Sequence, residues 1–124
     1  MSGNSLVIDT NIALYLLSGD QKVASILQDS QIYISFITEL ELLGYKNITP
    51  TEHRSIKNFL SDCIIIDIND AIKNHVVSIR KLHSVKLPDS IIASTALFLE
   101  LPLLSADKGY KRITGFSLLL YSAK

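Results

Sequence analysis

One cysteine, no apolar run near bilayer length and no surplus of either charge bound this chain before any motif is read. Cys63 stands alone among 124 residues, so no disulfide can close within the chain, and no Cys/His spacing suits zinc. It opens the run Cys63-Ile64-Ile65-Ile66 and reads as a buried strand residue. No apolar stretch approaches the roughly 20 residues that cross a bilayer, so no membrane-spanning segment is expected. Lysine plus arginine and aspartate plus glutamate balance at 12 each, which removes the basic excess of a passive nucleic-acid binder. Neutrality leaves room for a nucleic acid substrate, because cations held in an acidic pocket reverse its sign locally. Met1-Ser2-Gly3-Asn4 lacks the basic segment and long apolar stretch of a secretory signal, so the expected compartment is the cytoplasm. Repeats, low-complexity segments and linkers are absent as well, and a chain of 124 residues has room for one core, so residues 1–124 read as a single domain.

What is present is apolar and regularly spaced. Hydrophobic residues make up 48% of the chain and the mean hydropathy is +0.30, which suggests a buried sheet plus a surface for a partner. Short β-branched or leucine-rich runs fall at 5–8, 32–37, 63–67, 102–105 and 117–121. Most are uninterrupted rather than alternating, as in strands covered on both faces. Helical spacing occupies Asn11 to Leu17, Lys22 to Gln28, Thr38 to Tyr45, Thr51 to Asp62, Asp70 to His83 and Pro88 to Glu100. Asp20, Thr51 and Asn69 or Asp70 are expected caps, and Pro102 an expected stop. This order predicts an α/β fold with parallel strands and helical crossovers.

Four acids sit where such a run gives way to a turn or helix start: Asp9, Glu41, Asp89 and Asp107. In an α/β sheet these junctions lie at one edge, so carboxylates distant in sequence can meet. Each has a plain structural role available. Asp9 and Asp107 suit helix caps or turns, and Asp89 follows Pro88 in a first turn that favours negative charge. Glu39 and Glu41 compete for one place, since roughly 100° per residue sets them about 200° apart around a helix. Glu41 has capping-box spacing from Thr38, and a hydroxyl cap there would aim its carboxylate.

Taken together, the four acids read as a metal site. Two carboxylates about 5 Å apart repel by roughly 3 kcal/mol at an effective dielectric near 20, so such a cluster calls for a cation. Oxygen donors without Cys or His favour Mg²⁺ or Mn²⁺, which would activate water and polarise a phosphodiester. Hydrolysis of a phosphodiester is the expected reaction class. His53, His75 and His83 fall inside helices away from the acidic junctions and are expected to have no catalytic part.

The motifs Val7-Ile8-Asp9-Thr10-Asn11, Ile34-Ser35-Phe36-Ile37-Thr38-Glu39-Leu40-Glu41-Leu42-Leu43-Gly44, Leu87-Pro88-Asp89-Ser90-Ile91-Ile92-Ala93-Ser94-Thr95-Ala96 and Leu104-Ser105-Ala106-Asp107 resemble those of the PIN-domain nucleases. Within that family they are similar to the VapC-like toxins of bacterial toxin-antitoxin pairs. The resemblance implies a three-layer α/β/α sandwich with a central, mainly parallel sheet of about five strands. It implies Mg²⁺- or Mn²⁺-dependent endoribonuclease activity, with Asp9, Glu41, Asp89 and Asp107 as the acidic, metal-holding and catalytic set and Asn11 and Ser105 as polar neighbours. It also implies an RNA substrate, a homodimer and a small antitoxin that wraps the toxin, with Leu14, Tyr15, Leu16, Leu42, Leu43 and Tyr45 as candidate groove residues. Lys108, Lys111 and Arg112 are candidate contacts to the RNA backbone. The alternatives are a non-catalytic PIN-like interaction domain and an RNA-processing nuclease outside any such pair. A receiver domain would need adjacent acids after the first strand, and a dehalogenase-like phosphatase a second Asp where this chain has Asn11.

Overall fold

The computed structural model describes residues 4–122, so the reading of the chain start at Met1 to Gly3 lies outside the described residues. Strands form at Ser5–Ile8 (β1), Gln31–Ser35 (β2), Ile64–Ile66 (β3), Leu103–Ser105 (β4) and Leu118–Leu120 (β5). Helices occupy Thr10–Leu17 (α1), Gln21–Leu27 (α2), Phe36–Leu43 (α3), Pro50–Ser61 (α4), Asp70–Leu82 (α5) and Leu87–Leu99 (α6), with a 3₁₀ helix at Lys108–Arg112. The five strands run parallel in the order β3-β2-β1-β4-β5. Successive strands β1, β2 and β3 therefore build one way from the centre, and β4 and β5 the other. The order reverses between β1 and β4, and ligands bind beyond the carboxyl ends of strands at such a switch point.

The sheet sorts alternate side chains into two cores. Leu6 and Ile8 of β1 join Leu104 of β4 against Ile12, Ala13, Val23, Leu42, Ile56 and Leu60 on one face. Val7 and Leu103 turn to the other face and meet Ile79, Ile92, Ala93, Ala96, Tyr110 and Ile113. Both faces of the central strands are thus covered, which is why their runs read as continuous rather than alternating. Burial of each such Leu or Ile contributes about 1.5–3 kcal/mol. Among the described residues no helix is long and apolar enough to cross a membrane.

Most element ends fall within a residue or two of the sequence reading, and Cys63, expected as a buried strand residue, is half-buried in the bend before β3. Three boundaries differ for a visible physical reason. Strand β2 stops at Ser35, whose hydroxyl accepts from the Ile37 amide at 3.1 Å and caps α3, so Phe36 and Ile37 open a helix instead of ending a strand. The two are half-buried and Ile37 packs on the second core, which is why they resemble strand residues. Thr38 is therefore interior to α3 and does not cap it. Helix α4 begins at Pro50 and not at Thr51. Thr49 caps it, accepting from the Glu52 amide at 3.1 Å while Glu52 reaches back to the Thr49 amide at 3.0 Å. Pro50, with φ preset and no N–H to satisfy, fits the first helical position. Helix α6 ends before Pro102 arrives, because Glu100 takes a left-handed conformation (φ 55) that directs the chain into β4.

Candidate active site

Asp9 is the residue immediately after β1 and is only 4% exposed. Its two oxygens serve different elements. Oδ1 accepts from the Ile12 amide at 3.0 Å and caps α1, while Oδ2 accepts from the Ser105 hydroxyl at 2.5 Å across the switch point. The structural role and the pocket role coexist in one carboxylate, each oxygen retaining a further lone pair. Ser105, fully buried at the end of β4, also accepts from the Asp107 amide at 2.9 Å and so links two of the four acids.

Asp107 caps the 3₁₀ helix through Oδ1, which accepts from the Gly109 amide at 2.7 Å. A side chain at 109 would crowd that carboxylate, since a Cβ there would lie 3.0 Å from Oδ1. Asp89 is in the first turn of α6, and the buried Tyr110 donates its hydroxyl to Asp89 Oδ1 at 3.3 Å. Glu41 points from α3 toward Thr10, the residue that follows Asp9. Thr10 Oγ1 reaches Glu41 Oε1 at 2.5 Å and Thr38 Oγ1 at 3.1 Å. A hydroxyl has one proton and the carboxylate is the stronger acceptor, so Thr38 supplies the proton of the longer contact.

All four acids line one cavity of about 350 Å³, together with Asn11 and Tyr45. Glu39 is not among its lining residues, which places Glu41 at the cavity in the competition between the two. Among the described residues no lysine or arginine lines it either. Burial lifts the Asp9 carboxyl above the ordinary range, and the charges of Asp89 and Asp107 push the same way. Burial and the Asp107 charge raise Asp89 likewise, with the Tyr110 hydrogen bond and then Lys86 opposing them. The Tyr110 hydroxyl is pushed far up by burial and by the same carboxylates, so it serves as a donor and not as an acid.

Among the described residues no three His, Cys, Asp or Glu side chains stand close enough to grip a metal ion directly. The donor set nevertheless fits a hydrated divalent cation. It is oxygen-only, has surplus negative charge and surrounds a hollow with room for water, and Mg²⁺ in particular keeps several waters.

The PIN domain family matches residues 6–115, nearly the whole span from β1 to the turn before β5. This chain belongs to the PIN-domain family. Among solved structures, this PIN domain is similar to a toxin-antitoxin complex from Klebsiella pneumoniae, at 31% identity and a TM-score of 0.79 over 92% of this chain and 95% of that one. It is similar also to VapBC-1 from nontypeable Haemophilus influenzae, at 25% identity and a TM-score of 0.74 over 94% of this chain and 97% of that one. VapBC2 from Rickettsia felis, bound to a DNA fragment from their promoter, shares the fold at 21% identity and a TM-score of 0.81, over 95% of this chain and 99% of that one. No curated protein matches significantly.

Thr10, Tyr110 and Lys86 escaped the sequence reading. Thr10 carried a signal, a hydroxyl next to Asp9 at the first helical position. Tyr110, three residues past Asp107, and Lys86, three before Asp89, become neighbours of the site only through tertiary contact. Of the six candidate groove residues, Leu42 is fully buried in the core and lines nothing, and Tyr15 packs its ring 5.9 Å from that of Tyr121. Leu14 and Tyr45 do line a groove, of about 450 Å³, with Leu17, Ile48 and Ile56.

Proposed function

We propose that this PIN domain, acting as a single domain over residues 1–124, is a metal-dependent endoribonuclease and the toxin of a type II toxin-antitoxin pair. The observation that supports it most is the meeting of Asp9, Glu41, Asp89 and Asp107 around one cavity at the switch point. A bound Mg²⁺ or Mn²⁺ would supply charge neutralisation and an activated water for attack on the phosphodiester. Asp9, Asp89, Asp107 and Glu41 would hold it, partly through water. The chain's own polar residues set the geometry. Ser105 fixes the Asp9 carboxylate, Thr10 fixes Glu41, and Tyr110 steadies Asp89. Asn11 lines the same cavity and is placed to orient substrate or water.

A small antitoxin is the proposed partner. The groove between α1, α4 and the segment joining α3 to α4 is larger than the acidic cavity and lined mostly by apolar atoms, as suits an apolar peptide. The K. pneumoniae relative is a toxin-antitoxin complex, which supports such a partner here. A cytoplasmic location and a homodimer complete the reading. The test is cleavage of RNA with Mn²⁺, with EDTA, and with Asp9→Asn. Cleavage that EDTA and Asp9→Asn each abolish is expected, and RNA left intact by the metal-loaded chain would overturn the proposal.

A further inference from the structure

A second hollow, of about 230 Å³, adjoins the acidic cavity and shares Asp89 and Asp107 with it. Its far side differs in kind. Lys86, Arg112 and Ser84 line it, so two cations border the site together at this end. Arg112 is held in place there. Its Nη1 donates to the Ser84 carbonyl at 2.9 Å, tying the 3₁₀ helix to the segment ahead of α6 and leaving most of its five N–H donors for a ligand. Lys86 is the residue just before α6, exposed, and makes no side-chain cap bond. Tyr45, 46% exposed, also lines the acidic cavity, and the groove that shares it carries the single cation Lys46 among its described lining residues.

We infer that Lys86 and Arg112 form a phosphate subsite, which holds the backbone phosphate adjoining the one cleaved and fixes the direction in which a single strand crosses the acids. The inference rests on the ribonuclease reading and deepens it. Four carboxylates repel a polyanion wherever no ion screens them, so affinity for the strand must come from beside the acidic cavity and not from within it. The Ser84–Arg112 hollow is continuous with that cavity and offers a planar guanidinium suited to phosphate oxygens next to a mobile ammonium. Lys108 and Lys111, the other candidate RNA contacts, line neither hollow, and only Arg112 of that trio does.

The experiment is fluorescence anisotropy with a labelled single-stranded RNA, in an Asp9→Asn background that prevents cleavage. Adding Lys86→Ala and Arg112→Ala together is expected to weaken binding roughly tenfold. It should also flatten the slope of log affinity against log salt by about 0.7, the value for one phosphate neutralised on a single strand. Lys86→Ala alone disturbs no hydrogen bond that holds the fold and is expected to remove about half of that slope change. Arg112→Lys, which keeps the charge, should recover part of the loss. Lys108→Ala with Lys111→Ala should change affinity less than about twofold. Binding by the parent that the Lys86/Arg112 pair leaves unchanged, or that the Lys108/Lys111 pair weakens equally, overturns this subsite alone. A parent that binds no RNA overturns the subsite and the ribonuclease reading together.

Discussion

The Ser105 hydroxyl donates to Asp9 Oδ2 at 2.5 Å, joining the ends of two adjacent strands that lie 96 residues apart in the chain. The contact is buried, and the Ser105 Oγ also accepts from the Asp107 amide. Removal of this hydroxyl therefore frees one acid and loosens the turn that aims another. Ser105→Ala is expected to lower cleavage by about 10- to 100-fold, the usual cost of losing a group that orients a metal ligand. Loss of a buried bond to a charged acceptor should cost about 1.5–3 kcal/mol of stability, read from denaturant unfolding. Ser105→Thr keeps the hydroxyl and should retain most of the activity. Full activity in Ser105→Ala would show that Asp9 needs no such restraint.

The acids store a conditional instability that a bound cation would relieve. Burial and neighbouring carboxylates raise Asp9 and Asp89 in the folded state above the ordinary carboxylate value of 3.8. A raised native value means that the fold holds the proton more tightly than the unfolded chain does. Stability is thus highest below 3.8 for these two groups and is lost as pH rises through their folded values. Asp20 and Glu52 shift the opposite way, through hydrogen bonds from Val23 and Thr49, and lose their contribution only as pH falls below the ordinary range. Between these ranges, Tm in EDTA should fall as pH rises from mildly acid toward neutral. Asp9→Asn should flatten that fall and raise Tm at neutral pH by a few degrees. A Tm lower than that of the unaltered chain at pH 7 in EDTA would show that the charge is not a burden.

The proposed metal binding would be linked to pH through the same groups. Because the carboxylates must be ionised to hold a cation, Mn²⁺ uptake at mildly acid pH should release protons. Calorimetry in buffers of differing ionisation enthalpy reads this directly. Cleavage should decline as pH falls through the raised values of Asp9 and Asp89. An observed heat that does not depend on the buffer would contradict the linkage.

The choice between Glu39 and Glu41 turns on Thr10. Thr10→Val preserves shape at the start of α1 but leaves the Glu41 carboxylate without its donor. Mn²⁺ affinity is expected to fall on the order of tenfold, with Thr10→Ser close to the unaltered chain. Glu41→Gln should impair cleavage and Glu39→Gln should not. An effect of equal size from both glutamines would show that α3 presents either acid.

Part of this arrangement was legible in the sequence for a simple reason. Parallel strands all end at the same edge of the sheet, so an acid just past an apolar run is placed by topology alone, and Asp9 and Asp107 follow that rule. Asp89 does so through Pro88, which marks a helix start. Glu41 was harder, because the rotational choice between it and Glu39 depends on where α3 begins. Phe36 and Ile37 look like strand residues and hide the Ser35 cap, and Thr38, the expected cap, instead faces Thr10 from inside the helix. The Thr49–Glu52 capping box was obscured in the same way, by starting α4 one residue beyond Pro50. Tyr110 and Lys86 gave no local signal, since each acquires its meaning from a chain segment that folding brings alongside. The alternating residues of β1 and β4 show the converse, where burial on both faces erased the period that would have told one core from the other.

Gly109 tests how closely Asp107 is held. Gly109→Ala sets a methyl 3.0 Å from Asp107 Oδ1 and should turn the carboxylate. Cleavage is expected to drop about tenfold, as for other groups that orient a metal ligand, with little change in Tm. Activity equal to that of the unaltered chain would mean that Asp107 tolerates displacement.

The most direct measurement is a calorimetric titration of Mn²⁺ into the unaltered chain, Asp9→Asn and Asp89→Asn at about pH 7.5, well above the ordinary carboxylate range. The expected result is saturable binding by the unaltered chain that weakens at least about tenfold in each variant, since each removes one anion from the shared cavity. Equal affinity in all three proteins, or no binding by any, would contradict a divalent ion held jointly by the acids at the switch point.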